Sequence, residues 1–445
     1  MHAWSYGNIF QTISANAMNR NPAIRPVEKA AFALYNMAWR IILPALRRNQ
    51  RLAIGFENRL LKGPLKKNVH IWIQAASGGE AYLAWELLKS LSGPRRLTAV
   101  LTTNTLQGKE ILEKAVQDIK GRKPNVEAQV TYFPFDMPLI MEKAVRRIRP
   151  RVMVLLETEI WPGLFLALKR HERPAVIVNG RMTEKSLSRY RIWPAFWRSI
   201  RPDHILAISN EDADRFAALF GSRAVATMSN IKFDRVQEAD PTGDALDTFH
   251  SIVKPGTDFA VLGSVRQEEE TDLENILRDL NQRRPDAVIG LFPRHLHRVP
   301  HWQNALDRLG LSWGQRSMMK EPAESGQVVL WDVFGELNTA YQCASAAFVG
   351  GSLAPLGGQN FLEPLFVGLK PVIGPHWRNF LWVGTQIVDQ GLVHQADSWQ
   401  DVAGFMVAGM ARPEAKETIR QKAAAYIHKR QGGTQMACEL ITKYL

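Results

Sequence analysis

After residue 68 the chain repeats one pattern: a short run of apolar, β-branched or aromatic residues, then polar or helix-like material. The runs are 69-VHIWIQA-75, 97-LTAVLTT-103, 128-AQVTYFPF-135, 152-VMVLLE-157, 175-AVIVNG-180 and 204-HILAIS-209. A polar stretch with Pro and Gly follows at 235–256. A second series then begins: 258-DFAVLGS-264, 287-AVIGLFP-293, 327-QVVLWD-332, 346-AAFVGG-351 and 371-PVIG-374. Strands alternating with helices imply parallel sheets with crossover helices. The expected fold class is α/β: two Rossmann-like parallel-sheet domains in tandem, facing a central cleft. A length of 445 residues suits two cores. The expected boundaries are 1–66, 67–240 and 241–445. In open α/β sheets ligands bind at the carboxyl ends of strands, so the loops there are the places to search.

Charge is concentrated at the amino end. Of a net charge of +13, residues 1–66 carry a surplus of eight, from ten Lys/Arg against two acids. Apolar residues fill the gaps, as in 30-AAFALYNMAWRIILPAL-46. Arg40 and Pro44 break this run, so it is too short to span a bilayer. A basic amphipathic helix with Tyr35 and Trp39 fits an anionic membrane surface; the alternative is a helix packed on its own domain. No recognition motif or stacking platform accompanies the charge, so nucleic acid is not the expected partner. Cys343 and Cys438 match no metal or redox spacing, which suits a reducing compartment. The first residues lack the organisation of a signal peptide.

Several loops carry candidate chemistry. Ser77 and Glu80 have the S-x-x-E spacing of a capping box, so Glu80 reads first as a helix cap. Gly78-Gly79 would also let a ligand approach the backbone, and an ionised Glu at a strand's carboxyl end can take a proton from a sugar hydroxyl. In the second series, Ser264 ends a strand and 293-PRH-295 ends the next, offering Arg294 to phosphate or carboxylate. Residues 332-DVFGEL-337 join strand to helix. Gly350-Gly351-Ser352 follow a strand, and 357-GGQNFLEP-364 open a helix. Asn360 is expected to cap it with backbone N–H groups near a phosphate, and Glu363 could accept hydrogen bonds from ribose hydroxyls. Any one of these loops could be only a turn.

Two acid patterns resemble metal sites. Asp212 and Asp214 read as the first turn of a helix capped by Ser209 or Asn210. Glu157 and Glu159 follow a strand but lack a third ligand, so Glu159 reads as a polar residue of the cleft. No zinc-type histidine pair, G-x-S-x-G elbow or P-loop occurs.

Taken together, the motifs resemble the 3-deoxy-D-manno-octulosonic acid (Kdo) transferases of lipopolysaccharide synthesis. They are 75-AASGGE-80, 133-FPFD-136, 157-ETEIWP-162, 178-VNGRMTEKSLSRY-190, 230-NIKFD-234, 263-GS-264, 293-PRH-295, 332-DVFGEL-337, 348-FVGGSLAPLGGQNFLEP-364 and 374-GPHWRNF-380, in the family's order. The resemblance implies a GT-B glycosyltransferase with CMP-Kdo as donor and a metal-independent inverting reaction without a cofactor. It implies a lipid A precursor as acceptor, on the cytoplasmic face of the bacterial inner membrane. Glu80 matches the family's catalytic base. Ser264, Pro293, Arg294, Phe334, Gly335, Gly351, Ser352, Asn360 and Glu363 match its CMP-binding loops. Lys232 matches a basic position able to neutralise phosphate or the Kdo carboxylate.

The chain departs from the family's pattern at Gln74 (usually His), Gly78 (usually Val), Val333 (usually Thr), Gln359 (His) and Phe361 (Pro). These departures bear on the acceptor, the number of sugars added and the donor sugar. The alternatives are a GT-B enzyme with a shifted sugar or acceptor, and a catalytically inactive assembly protein on the membrane.

Overall fold

In a computed structural model the structure describes residues 25–92, 96–236 and 243–445. The chain forms two compact units, residues 1–235 with 430–445, and residues 236–429. The internal boundary falls close to the expected one. The end of the chain does not: residues 430–445 belong to the first unit, whereas the sequence pattern put them in the second. Residues 1–24 of the basic segment, and 237–242 of the expected linker, lie outside the described residues.

The first unit is built on a parallel sheet of β1 (Ile71–Gln74), β2 (Leu97–Thr103), β3 (Val126–Tyr132), β4 (Val152–Leu156), β5 (Ala175–Gly180), β6 (His204–Ala207) and β7 (Val225–Thr227), in the order β3-β2-β1-β4-β5-β6-β7. Both faces are buried. Along β4, Met153 and Leu155 enter one core with Trp72, Ile177 and Ile205; Val152, Val154 and Leu156 enter the other with Ile71, Ile73 and Val178. Alternate side chains point to opposite faces, so helices on both faces demand apolar residues at every position. β7 escaped the sequence reading because it has three residues and none is buried.

The second unit repeats the plan with β8 (Phe259–Val265), β9 (Val288–Pro293), β10 (Trp313–Gln315), β11 (Val328–Leu330), β12 (Ala346–Val349), β13 (Pro371–Ile373) and β14 (His394–Gln395), in the order β10-β11-β9-β8-β12-β13-β14. Every strand pairing is parallel. Leu273, Ile276, Leu277 and Leu280, spaced for one helix face, pack the helix Glu270–Arg283 onto one side of this sheet. On the other side Trp331 stacks with Phe249 and Phe292.

Strand order reverses between β1 and β4 in one sheet and between β8 and β12 in the other. At such a switch point successive crossovers diverge and leave a crevice beyond the strand ends. Each unit therefore has one topologically favoured place for a ligand.

Of the first 66 residues, the described ones, 25–66, are not a separate segment. The helix Pro26–Leu46 begins with Arg25, which clasps the buried Glu28 through its backbone N–H and guanidinium at 2.8–3.0 Å. Phe32 is buried against Phe196, Trp39 packs near Phe135, and the Tyr35 hydroxyl donates to Asp136 at 3.1 Å. Arg59, counted above among the membrane-facing cations, is 3% exposed. It donates to the carbonyls of Phe133 and Asn104 and lies over the Tyr132 ring. Lys62 and Lys66 pair with Glu57 and Glu127. The helix thus packs on its own unit by one face. Two residues out of phase, Leu34, Met37, Ile41 and Ile42 stand 48–74% exposed beside exposed Lys29, Arg40, Arg47 and Arg48. Among the described residues no helix is long and apolar enough to cross a membrane.

The final helix, Gly433–Thr442, buries Ala437, Cys438, Leu440 and Ile441 in the core that holds the helix Gly78–Ser90. Asp234 fastens its start, accepting from the Gly432 and Thr434 amides at 2.7 and 2.6 Å and from the Thr434 hydroxyl at 2.6 Å. Cys343 and Cys438 are both free thiols.

Candidate active site

At the first switch point, β1 ends at the fully buried Gln74 and the chain turns into the helix Gly78–Ser90. Ser77 is the N-cap, accepting from the Glu80 amide at 3.4 Å. The Glu80 carboxylate reaches back to accept from the Ala76 amide at 2.6 Å and the Ser77 hydroxyl at 3.1 Å. The capping reading is therefore correct, displaced by one residue from the usual box. It fixes the carboxylate at the strand end.

Glu80 has acidic company. After β4, Glu157 adopts a left-handed backbone (φ 55°), and Glu159 lies two residues further on. Glu159 accepts from the Trp161 indole at 2.6 Å and the Gln74 amide at 3.2 Å. Gln74 is held in turn by the Thr102 hydroxyl, which donates to its carbonyl at 2.7 Å. Burial pushes the Glu80 carboxyl up, and the charges of Glu159 and then Glu157 push further; the Ala76 and Ser77 hydrogen bonds oppose them, and the outcome is about 8. Burial, and to a lesser degree Glu157, raises Glu159 as well. A carboxyl that titrates near neutrality and can present a free base is what proton abstraction from an alcohol needs.

Lys232 follows Asn230, whose side chain accepts from the Lys232 amide at 3.0 Å. Its ammonium lies 2.9 Å from Glu157, with Arg181 at 4.0 Å from the same carboxylate. Lys232 therefore belongs to the acid cluster of the first unit. Asp136 of the 133-FPFD-136 motif is buried and accepts from the Gly163 and Leu164 amides at 2.9 and 2.8 Å, which tethers the 157-ETEIWP-162 loop to the amino-terminal helix through Tyr35.

The two glycines before Glu80 have different causes. A Cβ on Gly78 would lie 3.1 Å from Gln107 and 3.2 Å from Ile111, so this position is small because two helices approach closely. A Cβ on Gly79 would meet nothing closer than Ser77 Oγ at 3.8 Å. Only Gly79 leaves room at the carboxylate, a correction to the expectation that both do.

At the second switch point β8 ends at Val265, and Ser264 just before it has a left-handed backbone (φ 54°). A Cβ on Gly350 would strike the Ser264 carbonyl at 2.7 Å, so the loops after β8 and β12 touch. Gly351 and Ser352 are not free donors. Their amides, and that of Leu353, all point at the buried Glu269 carboxylate at 2.6–2.8 Å. The Ser352 hydroxyl donates to Val349 and accepts from the Gly374 amide. The two residues shape the loop instead of presenting N–H groups to a ligand. Sequence reasoning missed Glu269, which is hidden in 266-RQEEETD-272 as one more surface acid.

Pro293 ends β9, and Arg294 beside it is exposed, its amide bonded to the Val265 carbonyl at 2.9 Å. Glu363 accepts from Asn360 at 2.8 Å. Burial raises its carboxyl, with Asn360 and the Arg294 charge opposing. Asn360 also accepts from the Leu362 amide at 3.3 Å, but it does not cap the helix Leu362–Phe366 as expected: the N-cap position falls to Phe361, which has no side-chain acceptor, and the helix has only five residues. So short a helix carries little dipole for a phosphate. The 332–336 loop, before the helix Leu337–Cys343, is held at its base: Arg316 clasps Glu336 with two 2.9 Å bonds, and Asp332 accepts from the Ser317 amide and Gln315. Its tip, Phe334-Gly335, is free, with Phe334 73% exposed.

Asp212 lies in the first turn of a helix capped by Ser209, bonded to the Ser209 hydroxyl and the Met182 amide, as its spacing implied. Among the described residues no group of three or more His, Cys, Asp or Glu is placed to hold a metal ion.

Two Rossmann-like parallel-sheet domains, each with its loops gathered at a switch point, give the chain the GT-B architecture. The fold is shared with a glycosyltransferase from Rickettsia africae (TM-score 0.54, 10% identity, covering 85% of this chain and 99% of that one). Residues 47–235 match the family model described as 3-deoxy-D-manno-octulosonic-acid transferase (kdotransferase). The chain is 28% identical to the 3-deoxy-D-manno-octulosonic acid transferase of Bordetella pertussis over 86% of this chain and 89% of that protein. It is equally similar, 28%, to the enzyme of the same name from Haemophilus influenzae, over 84% and 87%. Sequence similarity to Kdo transferases thus runs through most of the chain.

Proposed function

We propose that the protein transfers Kdo from CMP-Kdo to a hydroxyl of a lipid A precursor, with inversion and with Glu80 as general base. The observation that carries the reading is the Glu80 carboxyl, fixed by Ala76 and Ser77 and lifted to about 8 by burial and by Glu159 and Glu157. Glu80 removes the proton of the acceptor hydroxyl while its oxygen attacks the Kdo anomeric carbon. The bond from that carbon to the phosphate oxygen breaks, and CMP departs with its electron pair. Lys232 is available to neutralise the Kdo carboxylate or phosphate. In the second unit Arg294 meets the phosphate, Ser264 and Pro293 border it, and the Phe334-Gly335 tip and the Asn360–Glu363 pair take the cytidine and ribose. Glu269 keeps the Gly351-Ser352 turn in shape.

The reaction runs without a metal ion or cofactor in this reading. The enzyme sits on the cytoplasmic face of the inner membrane, and the stripe Leu34, Met37, Ile41, Ile42 with its basic neighbours meets anionic lipid. Removing residues 1–66 would strip Phe32, Phe56, Arg59 and Leu61 from the first core, so substitution of the exposed stripe is the cleaner test. Purified protein should convert CMP-Kdo and a tetraacylated lipid A precursor to the Kdo-bearing product in EDTA, read by mass spectrometry. No product, or product only with a divalent ion, refutes the reading.

A further inference from the structure

We infer that the loop from Arg189 to Trp193 is a second membrane-contacting element, seated on an anionic lipid bilayer at the rim of the acid pocket. The inference rests on the membrane-acceptor reading above.

Ile192 is 85% exposed, more than any other large apolar side chain among the described residues. It is flanked by Arg189 and Arg191, both exposed, with exposed Lys185 and Arg198 on the adjoining helices. Among the described residues the two flanking arginines form no ion pair. The nearby acid, Glu184, is already engaged by Arg215. An apolar tip ringed by uncompensated cations is chemically complementary to an acyl–headgroup boundary of negative charge.

The loop is also tied to the two features it would serve. Trp193 stacks on Phe196, and Phe196 packs against Phe32 of the amino-terminal helix, so loop and helix share one aromatic cluster. Tyr190 packs on Trp197 and borders Glu159, whose charge, after burial, raises its phenol. A bilayer holding this tip would therefore lie beside the pocket in which Glu80 waits. Acceptor headgroups could reach the base while their acyl chains stay in lipid.

The test uses the full chain, vesicles of phosphatidylglycerol and phosphatidylethanolamine, and sedimentation, without donor or acceptor. Arg189→Gln with Arg191→Gln should weaken binding about five-fold per charge at low salt. Ile192→Asp should weaken it about ten-fold. Melting temperature and CMP affinity serve as controls for folding. Wild-type vesicle binding by both variants, with the controls unchanged, overturns the inference. Because no sugar is transferred in this assay, failure of the wild-type protein to transfer Kdo would refute the proposed reaction and leave the vesicle result standing.

Discussion

The proton-accepting role of Glu80 makes a quantitative demand on pH dependence. A glutamate at its ordinary value of 4.5 is fully ionised at neutrality, and a base at that value gives a flat profile from pH 6 to 9. Raised to about 8, Glu80 is about one-tenth ionised at pH 7 and about nine-tenths at pH 9. With donor and acceptor saturating, and chemistry limiting, kcat should rise roughly nine-fold across that interval. Glu80→Gln should lose about 10²–10⁴ of the rate and the limb with it. Glu159→Gln discriminates further. Burial is the larger cause of the shift and survives this change; the Glu159 charge does not. The limb should move down by about one unit and stay above 4.5. Stability gives an independent readout. Because the folded value is raised, the contribution of Glu80 is full below about 4.5 and lost as pH rises through about 8. Between pH 7 and 9 the wild-type melting temperature should fall more than that of Glu80→Gln. A flat wild-type profile, or a limb that Glu159→Gln leaves in place, refutes the assignment of base and neighbour.

Three further outcomes are expected. Glu269→Ala orphans three buried amides and should cost about 3 kcal/mol or more, read as a lower melting temperature with weakened CMP binding by calorimetry. Gly78→Val, which restores the family's usual residue, should cost about 1–3 kcal/mol in chemical denaturation because its side chain meets Gln107 and Ile111; adding Gln107→Ala should return part of that loss. Asp136→Ala should free the Tyr35 hydroxyl and uncap the helix Pro162–Arg170, cost about 2–4 kcal/mol, and speed proteolysis of the amino-terminal helix.

Much of the fold was legible because a strand buried on both faces must be apolar at every position. That condition marked β4 and β5 to within a residue and revealed the two series of strands. The thin edge strands β7, β10 and β14 carry no such signal, having two or three residues each and none buried. The ordered motifs likewise fixed which loops to examine. Arg294 directly follows β9, and Glu80 stands in the first turn of the helix after β1.

What the sequence could not contain is which groups each side chain spends on its neighbours. The string Gly350-Gly351-Ser352 reads only as a turn after a strand. Only the approach of Glu269, more than eighty residues away in the chain, shows the Gly351 and Ser352 amides to be occupied. Arg59 reads as one more surface cation, and only the packing of Tyr132 and the Phe133 and Asn104 carbonyls makes it a core residue. The final helix reads as part of the second domain because chain order is all a sequence offers, yet Asp234 and the apolar face of the helix Gly78–Ser90 draw it to the first. The same holds for Glu80. Spacing alone made it a cap and resemblance made it a base. The tertiary structure makes the cap the device that holds the carboxylate, and brings Glu159 and Glu157 from another strand to raise its proton affinity, because charge and burial act through space and not along the chain.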